Sequence, residues 1–266
     1  MTTAVFHAGA RELDGAAPGA VVTLTGAEAR HATTVRRLRV GEAVELVDGA
    51  GLRVGGTVAA TAKDALSVQV ADVRREPPPT VRLVLVQALA KGGRDEQAVE
   101  TATELGVDAV VPWQAERSVS IWTGPKVARG QERWSAVVLA AAKQSRRAWV
   151  PAVRAPLTSR ELVPAVASTV AAGGAVLVLH EQASVPLGAA RLPLAGDLVL
   201  GGAAGAVHAP DVAVVVGPEG GISDAEVAAL EGAGAQPVLV GPHVLRTSTA
   251  GPAALAVLAQ RLGRWG

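Results

Sequence analysis

The chain of 266 residues contains no cysteine and no tyrosine, and it has a single phenylalanine and a single methionine. The absence of cysteine excludes disulfide scaffolds, thiolate zinc sites, iron–sulfur clusters and thiol nucleophiles, and it is compatible with a reducing cytoplasm. The scarcity of aromatic residues removes most of the platforms on which nucleic-acid bases stack. Any contact with RNA is therefore expected to depend on arginine and lysine.

Signals for membrane insertion or secretion are also missing. The first residues lack the basic, apolar and small-residue regions of a signal peptide. The longest uncharged run, residues 162–179, contains Pro164 and the pair Gly173-Gly174, which suit a helix, a turn and a buried strand. We expect a cytoplasmic protein without a membrane segment.

Motifs of several common catalytic sites do not occur in the chain. There is no GxGxxG after the apolar run at 81–86, no P-loop, no HExxH and no G-x-S-x-G. The five histidines are scattered singly. These absences disfavour NAD dehydrogenases, P-loop ATPases and metal or triad catalysis. We predict no metal site.

Charge is balanced overall but unevenly distributed along the chain. Lysine and arginine number 25 against 24 aspartates and glutamates. Residues 82–160 carry a net charge of +5, whereas residues 161–245 carry −7. Such a split suggests that one face is kept for a polyanion.

Three consecutive prolines, Pro77 to Pro79, mark a domain boundary because they are incompatible with helix and with central strand. We predict a linker over 75–80 between a domain of residues 1–74 and a domain of residues 81–266. In the first domain, alternating segments separated by glycine turns predict the hairpins of a small β-barrel, at 43–47, 53–59 and 65–70. One helix is predicted over 29–38, opened by a capping box of Thr25 and Glu28.

The second domain alternates apolar β-branched runs with helical patterns, which is typical of an α/β fold with a mostly parallel sheet. Strands are predicted at 81–86, 109–112, 175–179, 212–216 and 237–240. Helices are predicted at 95–105, 131–146, 159–172, 223–231 and 250–262. Capping pairs open two of the helices, Thr158 with Glu161 and Ser223 with Glu226, and Gly106 suits a left-handed helix end. Residues 188–210 read as a long surface loop.

Ligands of open parallel sheets bind outside the carboxyl ends of the strands, so the residues after each strand are the first candidates for a site. GPEGGIS follows one strand at 217–223, GPHVLRTSTAG follows another at 241–251, and His180-Glu181 follows a third. Glycines allow the backbone to approach a ligand closely, and the capped helix at Ser223 directs its positive end nearby. These loops are suited to a nucleotide-like cofactor.

Five segments together resemble one protein family. They are VVVGPEGGISDAEV (214–227), VGPHVLRTSTAGPAAL (240–255), KGGRDEQAVETATELGVDAVVP (91–112), AAKQSRRAWVP (141–151) and HATTVRRLRVGEAVELVDG (31–49). The chain is similar to the RsmE family of bacterial 16S rRNA (uracil-N3) methyltransferases over nearly its whole length. The resemblance implies a PUA-like barrel followed by a SPOUT domain, whose parallel sheet ends in a C-terminal trefoil knot. It also implies S-adenosylmethionine as cofactor, 16S rRNA or the assembled small subunit as partner, and a homodimer.

The resemblance also implies which residues form the site. Arg246 is the expected catalytic residue, because a guanidinium can stabilise charge on the uracil oxygens once N3 has lost its proton. The expected cofactor-binding residues are Leu179, His180, Glu181, Val216, Gly217, Pro218, Glu219, Gly220, Gly221, Val240, Gly241, Leu245, Arg246, Thr247, Thr249 and Ala250. The expected RNA-binding residues are His31, Arg36, Arg37, Arg39, Lys91, Arg94, Lys143, Arg146 and Arg147. The general base is not identified, although His243 is a candidate.

Two positions depart from the pattern of the family. The family commonly has the sequence LRTETA where this chain has LRTSTA at 245–250, so Ser248 replaces a glutamate. Lys143 stands at a position where many relatives have a glutamate. Two alternatives therefore stay open, a non-catalytic RNA-binding assembly factor and a SPOUT methyltransferase that acts on another RNA. A nucleotide-dependent enzyme on an ordinary doubly wound sheet is a third reading, disfavoured by the missing motifs.

Overall fold

The computed structural model describes residues 3–193 and 209–265. The chain forms two compact units. The first unit consists of the residues up to Pro78 together with Ala142–Val150, and the second of Pro79–Ala141 and the residues from Pro151 onward. The first junction falls inside the predicted linker. Most of the predicted loop over 188–210 lies outside the described residues.

The segment 142–150 differs from the sequence-based division, which assigned it to the second domain. It is joined to the first unit by backbone hydrogen bonds: Val150 N–H donates to Gly49 O at 2.9 Å, and Gly51 N–H donates to Ala148 O at 3.0 Å. Gly51 has φ 94°, and an added Cβ there would lie 2.6 Å from the Trp149 ring. This pairing joins residues about a hundred positions apart, which local sequence patterns do not indicate.

The first unit is built on a five-stranded sheet of order β1-β3-β4-β5-β2. Its strands are β1 (Ala4–His7), β2 (Val21–Thr25), β3 (Ala43–Val47), β4 (Leu52–Ala62) and β5 (Ala65–Arg75). β1 pairs with β3 in parallel, and the other pairings are antiparallel. Phe6, Leu24, Leu46 and Leu66 form the centre of its core. The hairpin strands were predicted, whereas β1 and β2 were not.

The predicted helix over 29–38 is shorter than expected, and its predicted capping box is wrong. The helix α1 (Gly26–Arg30) continues into a π-helical segment, His31–Val35. Thr25 makes no side-chain cap, because its amide and hydroxyl both donate to Glu12 Oε1, at 2.8 and 2.6 Å. Glu28 instead pairs with Lys143. Partners distant in sequence thus replace the local cap.

The second unit contains a seven-stranded sheet of order β12-β10-β11-β6-β7-β8, with β9 also paired to β7. The strands are β6 (Arg82–Ala88), β7 (Ala109–Gln114), β8 (Ala152–Val153), β9 (Leu157–Thr158), β10 (Ala175–Leu179), β11 (Asp211–Val216) and β12 (Gln236–Val238). Every one of these pairings is parallel. The predicted parallel sheet of an α/β fold is confirmed.

Four helices of the second unit begin and end within three residues of the predicted positions, whereas the helix predicted over 131–146 begins six residues earlier, at Pro125. The helices are α2 (Arg94–Glu104), α3 (Pro125–Gln144), α4 (Ser159–Ala171), α5 (Asp224–Gly232) and α6 (Thr247–Arg261), and the last residues of α3 belong to the first unit. The capping boxes of Thr158 with Glu161 and of Ser223 with Glu226 are both formed. Gly106 follows α2 with φ 97°. Among the described residues, no helix has the length and apolar character of a membrane span.

Candidate functional site

The sheet of the second unit brings the predicted cofactor loops to one edge. Because its strands are parallel, the residues that follow them leave from the same side. β12, β10 and β11 are neighbours, with Leu179 opposite Val238 in the register. The segments 179–181, 216–221 and 240–250 therefore follow three adjacent strands, and β6, which precedes Lys91 and Arg94, is next to β11.

The loop after β11 is a tight, glycine-dependent turn. Gly221 has φ 73°, and its amide donates to Pro218 O at 2.9 Å. A Cβ added to Gly217 would lie 2.6 Å from Ile222 Cγ1. The backbone here is packed so closely that a side chain at Gly217 would displace the following residues.

Glu219 fastens this loop to the start of α2. Its carboxylate pairs with Arg94 at 2.9 Å, and the side chain is 21% exposed. Partial burial raises the pKa of Glu219, but hydrogen bonds from its own amide, from Arg94 and from the Lys91 amide outweigh burial and leave the pKa lowered. An ionised Glu219 paired in this way has the geometry of a residue that orders the loop, and Arg94 is engaged by it.

A chain of hydrogen bonds connects the same loop to α6 and β6. The Thr247 hydroxyl donates to Gly217 O at 2.8 Å and accepts from Gln87 Nε2 at 2.9 Å. Gln87 is fully buried, and its Oε1 has no hydrogen-bond partner among the described residues. Because a carbonyl oxygen only accepts, the single hydroxyl proton of Thr247 must go to Gly217, and Gln87 must present its amide nitrogen. Sequence reasoning missed Gln87; its signal is a polar residue at the end of an apolar strand.

The residues after β7 also contact the glycine loop. Arg117 donates to Gly220 O at 3.2 Å. Glu116, in the same segment, donates its amide to Glu226 of α5 at 2.8 Å. Burial raises the pKa of Glu226, but hydrogen bonds from Ser159, from the Glu116 amide and from Ser223 outweigh burial and leave the pKa lowered. Arg117 was not predicted, because only the folded sheet brings the end of β7 close to the loop after β11.

The C-terminal segment from Leu239 to Arg246 links β12 to α6. The Leu239 amide donates to Val185 O and the Leu187 amide donates to Leu239 O, each at 2.8 Å. Arg246 is the N-cap of α6, and its carbonyl accepts from the amides of Thr249 and Ala250 at 2.8 and 2.9 Å. Its side chain is exposed, and no carboxylate within the described ranges pairs with it. A guanidinium without an ion-pair partner is available to a ligand.

The remaining predicted positions of this edge vary in exposure. His180 is half-buried, and its Nδ1 accepts weakly from the Gln182 amide at 3.4 Å. Glu181 is exposed, and Gly241 is half-buried with no atom within 4 Å of an added Cβ. Ser248, where the family pattern has a glutamate, is buried in the first turn of α6.

Most of the predicted RNA-binding residues lie in the first unit, including Lys143, Arg146 and Arg147 from the segment 142–150. The exposed ones are His31, Arg36, Arg37, Arg39 and Arg146, and Lys91 is exposed in the second unit. Lys143 pairs with Glu28 at 2.5 Å, and the His31 ring meets Phe6 edge-on with centroids 5.7 Å apart. The two basic segments that were predicted to act together therefore belong to one unit.

Comparisons with known proteins cover both units. A family model described as an RNA methyltransferase domain matches residues 76–259, and a model described as an RNA methyltransferase PUA domain matches residues 24–71. The ribosomal RNA small subunit methyltransferase E of Mycobacterium tuberculosis is 45% identical over 249 residues, which is 93% of this chain and 89% of that protein. The protein of the same name from Synechocystis is 33% identical over 89% of this chain and 72% of its own length.

A solved structure agrees with these sequence matches. The ribosomal RNA small subunit methyltransferase E of Neisseria gonorrhoeae, bound to S-adenosyl methionine, has a TM-score of 0.81 and 25% sequence identity, and the match covers 100% of both chains.

Proposed function

This chain belongs to the RsmE family of RNA methyltransferases, and from that membership we propose that it transfers the methyl group of S-adenosylmethionine to N3 of a uridine in 16S ribosomal RNA. The observation that carries the proposal is the meeting of the segments 179–181, 216–221 and 240–250 at the carboxyl edge of one parallel sheet. The assignment of the methyl group to N3 rests on the resemblance of the sequence motifs to those of the RsmE family.

The residues at this edge fit the cofactor. Backbone groups of Gly220, Gly221 and Gly241 are accessible, and Gly217 leaves no room for a side chain beside Ile222. Leu179, Val240 and Leu245 add apolar surface that is not fully buried. Such a combination of open backbone and aliphatic side chains suits an adenosyl group. When bound, S-adenosylmethionine supplies an electrophilic methyl group on a sulfonium leaving group.

The residues of the site must also orient the uridine and stabilise the negative charge that its base acquires. N3 of uracil must lose its proton before it can accept a methyl group, and the negative charge then spreads to the flanking carbonyl oxygens. Arg246 is exposed beside the proposed cofactor loops and has no carboxylate partner within the described ranges. Its guanidinium stabilises that charge, and Thr247 with Gln87 holds the first turn of α6 in position.

The proposal extends to features of the fold and assembly. We propose that the sheet of the first unit closes as a PUA-like barrel and that the C-terminal segment is threaded as a trefoil knot. Support for the knot comes from both ends of the segment, since Leu239 bonds to Val185 and Leu187 while Arg261 donates to Leu187 O and Ala190 O at 2.9 Å.

We also propose a homodimer that acts in the cytoplasm on structured 16S rRNA or the assembled small subunit. Support for the dimer comes from apolar side chains left exposed in the 240–250 segment and on α6, which are Val244 at 78%, Leu245 at 37% and Val257 at 39%. A second copy that covers these side chains would remove them from water. The proposed cytoplasmic location follows from the proposed substrate, ribosomal RNA.

The test uses labelled S-adenosylmethionine with small subunits from a strain that lacks the endogenous enzyme. We expect the wild-type chain to label the 16S rRNA and Arg246→Ala to lose at least about a hundredfold in kcat, the loss typical of removing one charge-stabilising donor. Arg82→Ala is the control: Arg82 is the first residue of β6, at the end of the strand away from the proposed cofactor loops, so we expect the variant to keep its activity. Cofactor binding without transfer to any rRNA would support the assembly-factor alternative and contradict the proposal.

A further inference from the structure

A cavity of about 400 Å³ lies in the second unit, between the segment that follows β7 and the first turns of α3. Val119, Ile121, Trp122, Lys126, Arg129 and Arg133 line it. Neither the sequence motifs nor the proposed cofactor loops include any of these residues. The lining contains three cations and no carboxylate.

Two of the three positive charges are unpaired. Arg133 pairs with Glu96 at 2.6 Å. Lys126 and Arg129 are exposed, and neither has a carboxylate partner in the part of the chain that the structure describes. An unpaired lysine and arginine one helical turn apart present adjacent donors to an anionic ligand.

The walls of the cavity combine a fixed aromatic side with an exposed aliphatic rim. Trp122 is 8% exposed, and its ring meets Trp134 edge-on with centroids 5.7 Å apart. An added Cβ on Gly130 would lie 2.5 Å from the Trp122 ring, so the ring packs directly on the α3 backbone. Val119 and Ile121 are 66% and 51% exposed. Aliphatic surface next to unpaired cations is complementary to a nucleoside joined to its phosphates.

Arg117 connects the segment that lines the cavity to the glycine loop of the proposed site. Arg117, which donates to Gly220 O, is two residues before Val119. The wall of the cavity at Val119 is therefore only two residues from a direct contact with the loop of residues 217–221.

We propose that this cavity binds the phosphodiester backbone and one nucleoside of the ribosomal RNA strand next to the target uridine. Lys126 and Arg129 contact the phosphates, and Ile121 packs against the base or sugar. The inference rests on the proposed function for the identity of the RNA, but the binding it describes is measured separately from methyl transfer.

The test compares the full-length double variant Lys126→Gln/Arg129→Gln with the control Arg82→Gln/Arg191→Gln. The control removes the same number of positive charges near the N-terminal ends of the strands, away from the proposed cofactor loops. Arg82 begins β6, and Arg191 contacts Gln236 at the start of β12. Affinity for a 16S rRNA fragment is measured by fluorescence anisotropy at several KCl concentrations, beside the S-adenosylmethionine Kd and the oligomeric state. Ile121→Ser is measured in the same way.

We expect the double variant to bind the RNA about tenfold more weakly than the wild type. The slope of log affinity against log salt should fall in magnitude by about 1.4 to 1.8, as expected for two phosphate contacts. The cofactor Kd should not change, and Ile121→Ser should weaken binding without changing the slope. An unchanged RNA affinity, an equal loss in the control, or a shift from dimer to monomer would overturn the inference. A wild type that binds RNA through this cavity but transfers no methyl group would instead contradict the proposed function alone.

Discussion

Replacing Gln87 by glutamate keeps the size of a fully buried side chain but removes the donor that this position requires. Gln87 Nε2 donates to Thr247 Oγ1 at 2.9 Å and to Ala88 O at 3.3 Å, and the Thr247 proton is committed to Gly217 O. A carboxylate would face oxygens on both sides. Leaving a buried charge without a partner costs about 3–5 kcal/mol. In a unit of this size we expect a Tm about 6–20 °C lower at pH 8.

The loss should depend on pH. Burial raises the pKa of the new carboxyl above that of an unfolded glutamate, so the protonated form can donate to Thr247. The penalty is therefore small at pH 5, where the buried group binds its proton, and it grows as the pH rises through the folded pKa. Gln87→Met is the matched control: it removes the donor without adding charge, and it should cost about 1–2 kcal/mol at either pH.

Thermal unfolding of the three proteins at pH 5 and pH 8, with and without S-adenosylmethionine, measures these effects. The cofactor should raise the Tm of Gln87→Glu less than that of the wild type, because a buried charge next to Thr247 disturbs the packing of the loop at Gly217. Equal melting of the glutamate and methionine variants at both pH values would refute the inferred direction of the hydrogen bonds.

Two further predictions concern the same loops. Gly217→Ala should lower stability by about 1–3 kcal/mol and weaken cofactor binding, because its Cβ would meet Ile222 at 2.6 Å, whereas Gly241→Ala meets no atom within 4 Å and should be tolerated in thermal-shift assays. Glu226 has a lowered pKa, so its contribution to stability is present above the unfolded value of about 4.3 and is lost as the pH falls through the folded pKa. Glu226→Gln should therefore flatten the acid limb of a Tm-against-pH curve, and an unchanged acid limb would contradict the role given to its hydrogen bonds.

The parts of the fold that follow from local sequence were predictable. β3 and β10 begin and end at the predicted residues. β3 is an alternating run between glycine turns, and the first four residues of β10, 175–178, are buried aliphatic side chains. The caps at Thr158 and Ser223 formed because each has its glutamate three residues later, and at Ser223 the cap forms although the hydroxyl also donates to Glu116. Thr25 has the same spacing, but Glu12, in a 3-10 helix over Ala10–Leu13, binds its amide and hydroxyl instead.

What sequence reasoning missed depends on pairing between distant segments. Gln87 acquires its role only when β6 lies beside β11 and α6 packs against both strands. Arg117 reaches Gly220 across 103 positions, and the segment 142–150 pairs with the turn at Gly49. The cofactor loops stay a prediction, made because each directly follows a strand and two of the three contain glycine.

The proposed reaction is tested most directly by the identity of the nucleoside that receives the methyl group. Small subunits methylated by the wild-type chain are digested to nucleosides and analysed by mass spectrometry against unmethylated subunits. We predict 3-methyluridine as the product, formed at one position of the 16S rRNA. A methylated ribose or a methyl group on another base would contradict the proposed reaction.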